Sequence, residues 1–536
     1  MAVCSNCGSS VALEDPLTAS EALDRGTPYN RFLNSNDPPT DSRDVDLVDS
    51  IISQTESSME RVDDEITRLR QRLAQLEDRK TALSLHLARN KAILSPLRRM
   101  PPELLLEIFS WTLPSILFLR RQDQFDVTDV PWILGHISSN WRAVALSSPS
   151  LWSVVAVNYT GALGNPLTAY PLAMLETQLA RAQKLKIHFY ASAASDDGAQ
   201  TEIFKFLAAQ SSRWEELSIS LTPVLASLIP SLRDRIPSLR RLWLQWEALE
   251  SQADVELIDC FEIAPSLIDV GLYNEYRSIP IHLPAQQLTR YHLDAPWEVH
   301  EGLLQQAQNV VEARIDVRFD PNPWSESYEV IEISSLRRLY VSEPEVLNRL
   351  RAPYLEEVAL YCRPDNGPDI VRDLHSLVLR SSCPIGRICL KGLPTTQITT
   401  NILLKVPSIV ELGIIINDSD SQASQEVNSL MADFTVLDSE AIDKSVAPHL
   451  TCLFFGCDDE SYIDYNAYLE MVKSRWKSEH CALRSATLLT DSNPGPDAAT
   501  LEALNILREE GLDLFLLDGA EASEMMGGWM YASLWN

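Results

Sequence analysis

The apolar positions of this chain follow three rhythms. In the first, Met59, Val62, Ile66, Leu69, Leu73, Leu76, Leu83 and Leu87 recur at alternating spacings of three and four, the a and d positions of a heptad. Lys80 is the one break in that seam, and Asp63, Glu65, Arg70, Arg72, Glu77 and Arg79 flank it at e and g. The spacing predicts a heptad helix over 45–95. A seam this narrow is made for another helix, and two partners stay open: a copy of itself, giving a homodimer, or helices of the same chain.

The second rhythm runs from Leu97 to Trp152. Pro102 suits a first helical position, where its missing N–H costs nothing. Leu104, Leu105, Ile108 and Phe109 then form an apolar stripe. Leu134, Ile137, Trp141 and Ala145 repeat it on one predicted face, Pro149 ends it, and Leu151 and Trp152 follow. Helices this short cannot bury so much apolar surface among themselves, so the rest of the chain or a partner must cover it.

The third rhythm governs the remainder. It reads apolar, two spacers, apolar, one spacer, apolar. Instances are Trp214, Leu217, Ile219; Leu239, Leu242, Leu244; Leu267, Val270, Leu272; and Leu288, Tyr291, Leu293. Val310, Ala313, Ile315; Leu336, Leu339, Val341; Leu355, Val358, Leu360; and Ile385, Ile388, Leu390 continue it. Ile409, Leu412, Ile414; Leu450, Leu453, Phe455; and Leu483, Ala486, Leu488 complete it. Each triplet predicts a short strand with alternate residues inward, and a period of roughly 20–30 residues lies in the leucine-rich-repeat range. No single unit buries its apolar set, but stacked units share a core. The Asn of the regular repeat is mostly absent, so the expectation is an irregular α/β solenoid over 211–520; separate α/β domains with similar strands are the other reading. Strands at Ser153–Val157 and Leu185–Tyr190 and a helix at Leu172–Ala182 are expected in the transition over 154–210. Longer intervals around Asp418–Lys444 and Asp458–Glu479 imply inserted loops or helices. Helix Ala498–Glu510, stopped by Gly511, and strand Leu512–Leu517 come last, before an apolar tail over 521–536 expected to cap the final repeat.

Charge narrows the function. With 75 acidic against 45 basic residues the formal net charge is −30, which argues against phosphate-driven nucleic-acid binding and against anionic membranes. Nine cysteines, mostly single and in apolar contexts, suit a reducing compartment. With neither a signal pattern nor an apolar run of about 18 residues, a cytoplasmic or nuclear protein is expected. Residues 1–44 read as a disordered leader. Within it Cys4 and Cys7 resemble half of a zinc ribbon, but no further Cys follows before Cys260, so no metal site is assigned.

Catalytic signatures are missing: no GxxxxGK[ST], no GxGxxG after a strand, no HExxH, no GxSxG. His188, His292 and His375, in or beside predicted strands, read as structural imidazoles. No enzyme and no cofactor is expected.

The segment Met100-Pro101-Pro102-Glu103-Leu104-Leu105-Leu106-Glu107-Ile108-Phe109, followed by Trp141-Arg142-Ala143-Val144-Ala145 and Pro149-Ser150-Leu151-Trp152, resembles the F-box motif. More narrowly, the chain resembles fungal F-box proteins with an upstream heptad helix. Met100 stands where that family usually has Leu, and a long connection over 114–131 separates the two halves. The resemblance implies a small all-α F-box over 96–153. It also implies an adapter of a Skp–cullin–F-box ubiquitin ligase, recruiting an unknown protein substrate through the repeats. Contacts to the Skp-family adaptor, and through it to a cullin, would come from Pro101, Pro102, Leu104, Leu105, Ile108, Phe109, Ile137, Trp141, Leu151 and Trp152. The alternative is a non-catalytic scaffold, dimeric through Met59–Leu87. Outward strand residues such as Trp243, Tyr340 and Tyr361 are candidates for substrate contact.

Overall fold

The computed structural model describes residues 2–3, 10–11, 32–33, 35–36, 38–113, 128–159, 171–193, 197–246, 257–274, 278–319, 324, 328–363, 365–416, 423–436, 446–457, 463–490, 495–519, 521–522 and 525–526. Cys4, Cys7, Asp458–Glu460, Trp529, Met530, Tyr531, Leu534 and Trp535, and most of the 114–131 connection, lie outside them. The chain is mixed α/β and divides into two compact units, Met1–Pro101 and Pro102–Asn536.

The first unit is dominated by one helix, α1 (Ser42–Ile93), 52 residues long. The Asp41 carboxylate caps its start by accepting from the Arg43 N–H. None of its residues is buried. The eight heptad side chains are exposed throughout, from 40% at Ile66 to 63% at Met59. Ala2–Val3 and Ser10–Val11 form a small antiparallel pair.

The second unit opens with helices α2 (Pro102–Trp111), α3 (Leu134–Ile137) and α4 (Ser139–Ser147), then a 3-10 turn, Pro149–Trp152. The expected single face through Leu134, Ile137, Trp141 and Ala145 is broken at Ser138. That residue is extended (φ −156°) and its hydroxyl accepts from the Trp141 N–H, which starts a new helix. Leu134 and Ile137 therefore sit on a different helix from Trp141 and Ala145; Ile137 is exposed, while Leu134 and Ala145 are buried.

Beyond them lies a parallel sheet of fourteen strands. The strands are β1 (Val154–Asn158), β2 (Leu185–Tyr190), β3 (Trp214–Leu221), β4 (Arg241–Trp246), β5 (Asp269–Tyr273), β6 (Arg290–Ala295) and β7 (Glu312–Val317). They continue with β8 (Arg338–Val341), β9 (Glu357–Cys362), β10 (Arg387–Gly392), β11 (Glu411–Ile416), β12 (Cys452–Cys457), β13 (Ser485–Thr490) and β14 (Asp513–Asp518). Each pairs only with its neighbours in chain order. Every predicted triplet is a strand, and its last two residues fall in two buried rows that run across the sheet, from Val155 and Val157 to Leu488.

Helices and turns connect the strands on the side of these rows. The long late intervals contain Ala423–Phe434 and Tyr465–Lys477, and helix Gly367–Ser381 packs beside Thr396–Lys405. His375 sits in Gly367–Ser381, not beside a strand as expected, because the apolar spacing around it is helical. Buried Arg475 ties Tyr465–Lys477 to the preceding connection by donating to the Phe434 and Val446 carbonyls, each at 3.1 Å, and to that of Ala447 at 2.5 Å. Gly511 (φ +104°) ends the last helix, Ala498–Glu509, in a conformation that favours glycine.

Candidate docking surfaces

The helices ahead of the sheet have an inner and an outer apolar stripe. Leu105 and Phe109, four apart on α2, point inward and are fully covered; the Phe109 ring lies 4.8 Å from that of Trp141. Leu151 and Trp152 are buried too. Trp152 donates to the Ala145 carbonyl at 2.8 Å and stacks edge-on to Trp132, while the Arg181 guanidinium of α5 (Leu172–Arg181) covers its ring at 4.3 Å. These contacts fix α2–α4 to the start of the sheet. The outer stripe is Leu104, Ile108 and Trp111, at i, i+4 and i+7. Leu104 is 55% exposed and Trp111 75%, Ile108 is half-buried, and Ile137 on α3 is 54% exposed. Pro101 and Pro102 are exposed and Trp141 is half-buried. The ten expected contact residues therefore split, with Leu105, Phe109, Leu151 and Trp152 serving as internal packing.

The second surface is the sheet face opposite the two buried rows. Its first row carries charges of alternating sign on ten consecutive strands: Lys186, Glu216, Arg241, Asp269, Arg290, Glu312, Arg338, Glu357, Arg387 and Glu411. From Glu216 onward each side chain is ion-paired with its neighbours. Arg290 reaches Glu312 at 2.8 Å and Asp269 at 3.8 Å; Arg338 reaches Glu312 at 3.4 Å and Glu357 at 3.3 Å. Arg241 stands 3.5 Å from Glu216, and Arg387 3.4 Å from Glu357. Burial raises the Glu216 carboxyl above its usual range, and the cations Lys186 and Arg241 oppose that. The ladder was missed in the sequence, where its only signal is positional: each of its residues from Glu216 on is the second spacer of an apolar triplet.

The second row of this face holds the expected contact residues Trp243 and Tyr340, and both are buried. Trp243 lies over Gly271, where a Cβ would stand 2.0 Å from its ring, and meets the His292 ring at 5.1 Å. Its indole N–H donates to Gln245 at 3.1 Å. Tyr340 lies under the Arg314 guanidinium, 4.4 Å from its centroid. Neither ring is offered outward, which corrects the expectation; Tyr361 is half-buried.

Between them lies a buried polar cluster. Arg314 donates to Asp316 at 2.9 Å, and His292 Nε2 is 3.5 Å from the same oxygen. Burial pushes the Asp316 carboxyl up, but Arg314 and His292 outweigh it and hold it below the usual range. Asp294 differs. Its side chain is buried with Arg318 at 3.3 Å, and burial pushes it up to about 7. Burial brings His292 and His300 down to about 4. His300 Nε2 faces the Ala295 and Asp316 carbonyls at 3.1 and 3.2 Å, so it carries the proton and Nδ1 accepts from the Tyr291 hydroxyl. The triplet pattern gave no sign of His300, which lies on helix Trp297–Leu304.

Farther along, this face turns apolar. Tyr340, Ala359, Cys389, Ile415, Phe454 and Leu489 cluster with Ala522 and Met526, and Met526 sits over Gly456. The described tail residues Ala522 and Met526 thus lie on this face, with Leu517 of β14 packed against the same cluster, and Gly456 leaves room for the thioether.

Burial raises the Cys260 and Cys389 thiols to about 12, far from a reactive thiolate. No group of three His, Cys, Asp or Glu among the described residues could hold a metal, and no described helix is long and apolar enough to cross a membrane. No protein-family model matches the chain, and neither does any curated protein.

Proposed function

We propose that the chain is a substrate-recruiting adapter of a Skp–cullin–F-box ubiquitin ligase, with 96–153 as its F-box and 211–520 as an irregular leucine-rich-repeat-like solenoid. The observation that carries this reading is the outer stripe Leu104, Ile108 and Trp111, beside Ile137, on helices whose inner residues are already satisfied. Such a pair folds without a partner and keeps an apolar surface for one. Fourteen parallel strands in unbroken chain order support the solenoid. The adapter does no bond chemistry; it raises the effective concentration of a substrate lysine beside a ubiquitin-charged enzyme.

The test is co-purification of the Skp-family adaptor and cullin with the full chain and with Leu104→Asp/Ile137→Asp. Loss of both partners from a variant whose heat unfolding is unchanged is expected. Undiminished capture by the variant would overturn the assignment of this face.

The exposed seam of α1 favours a second reading, a dimeric scaffold without a ligase role. It replaces the first if the intact chain captures neither adaptor nor cullin.

A further inference from the structure

We propose that α1 pairs with α1 of a second copy in antiparallel orientation and full overlap, an inference that stands whether or not the chain serves a ligase.

The helix extends the seam upstream: Val45, Val48, Ile52 and Thr55 continue the alternating spacing ahead of Met59. The full seam then has three polar positions, Thr55, Lys80 and, near the end of the helix, Asn90. In a parallel pair each meets itself, and two Lys80 ammonium groups face across an apolar seam. In an antiparallel pair spanning Ser42–Ile93, Thr55 of one copy faces Lys80 of the other. A hydroxyl then meets an ammonium that can lift its head toward water. The same register sets Ile52 against Leu83, Met59 against Leu76, Val62 against Leu73 and Ile66 against Leu69, apolar on apolar, and places Asn90 against Val45 near the helix ends.

Charge selects the same orientation. The first half of α1, 42–67, carries eight carboxylates against Arg43 and Arg61. The second half, 68–93, carries seven basic side chains against Glu77 and Asp78. A parallel pair lays acidic half on acidic half and basic on basic; an antiparallel pair lays acidic on basic twice. Flanking pairs alone do not choose. Parallel chains gain Glu65–Arg70 and Arg72–Glu77, antiparallel chains gain Asp63–Arg70 and Glu65–Arg72 and set Glu56 near Glu77. The polar seam positions and the half-helix charges decide.

A helix of 52 residues spans about 80 Å at 1.5 Å per residue. Two chains joined this way therefore leave the rod at its opposite ends.

Full-length chain with Cys4 and Cys7 changed to Ser provides the background, since the seven other cysteines are buried or half-buried. One preparation carries Thr55→Cys and another Lys80→Cys. Mixed under mild oxidation, they should give an interchain disulfide at roughly tenfold or more the rate of either alone. Sedimentation should show a dimer, and Ile66→Asp/Leu69→Asp should make it monomeric without moving the heat unfolding of the sheet. Self-crosslinking of Thr55→Cys as fast as the mixture would mean a parallel pair, and a monomeric parent at micromolar concentration would mean that another protein covers the seam; either overturns the proposal.

Discussion

Arg290 on β6 donates to Glu312 on β7 at 2.8 Å, and the same carboxylate receives Arg338 from β8 at 3.4 Å. Glu312 is thus the shared acid of two guanidinium groups and is almost wholly buried, whereas Glu411 at the ladder's end is 43% exposed. Removing a buried member strands its partners, while an exposed pair contributes little. Glu312→Ala is expected to cost about 2–3 kcal/mol and Glu411→Ala under about 0.5 kcal/mol, read by denaturant unfolding. Equal costs would mean that the ladder has no energetic interior.

The two stripes of α2 differ in burial, and so in what each contributes to stability. Leu105→Ala removes a fully buried side chain and should cost about 2–4 kcal/mol, whereas Leu104→Ala should stay within about 0.5 kcal/mol. Both are measured on the full chain by urea unfolding. Comparable losses would show that Leu104 is packed in solution.

Asp294 gives the sheet a pH signature of known sign. A carboxyl raised to about 7 in the fold, against about 3.9 unfolded, holds its proton in the folded state over that window. Its contribution is therefore lost as pH rises from about 4 to 7. His292 and His300, held down to about 4, act oppositely and lose stability as pH falls below about 6.5. Asp294→Asn should leave stability near pH 4 little changed and raise it by on the order of 1–3 kcal/mol at pH 8. A difference between variant and parent that does not change with pH would show that Asp294 titrates normally.

Gly271 makes room for Trp243. Gly271→Ala places a methyl group 2.0 Å from the indole and should cost about 1–3 kcal/mol through the shift it forces. Because the two residues share one space, Gly271→Ala/Trp243→Leu should cost less than the sum of the single changes. Strict additivity in thermal unfolding would show that they do not compete.

Much of this architecture was legible because one row of side chains repeats. Leu242, Val270 and Leu412 recur at fixed places in their triplets, and a buried row tolerates little else. What escaped the pattern sits in its spacers. Glu216, Asp269 and Glu312 look like ordinary surface acids until the register sets them between arginines. Trp243 looks like an exposed aromatic until Gly271 is placed beside it. Leu104 and Leu105 are the same residue type one position apart, and only a helix docked on its neighbours assigns one inward and the other outward. The Ser138 cap had a local signal, a Ser three residues before Trp141, hidden by an apolar spacing that fitted one longer helix.

The alternating ladder also constrains how such a chain can change length. Excising the stretch that carries Asp269 would bring Arg241 opposite Arg290, cation against cation in a half-buried row, whereas excising that stretch together with the next would restore opposite signs. Duplication and loss in this region are therefore governed by parity: gain or removal by twos is tolerated, and odd steps are penalised whatever the apolar layer beneath would allow.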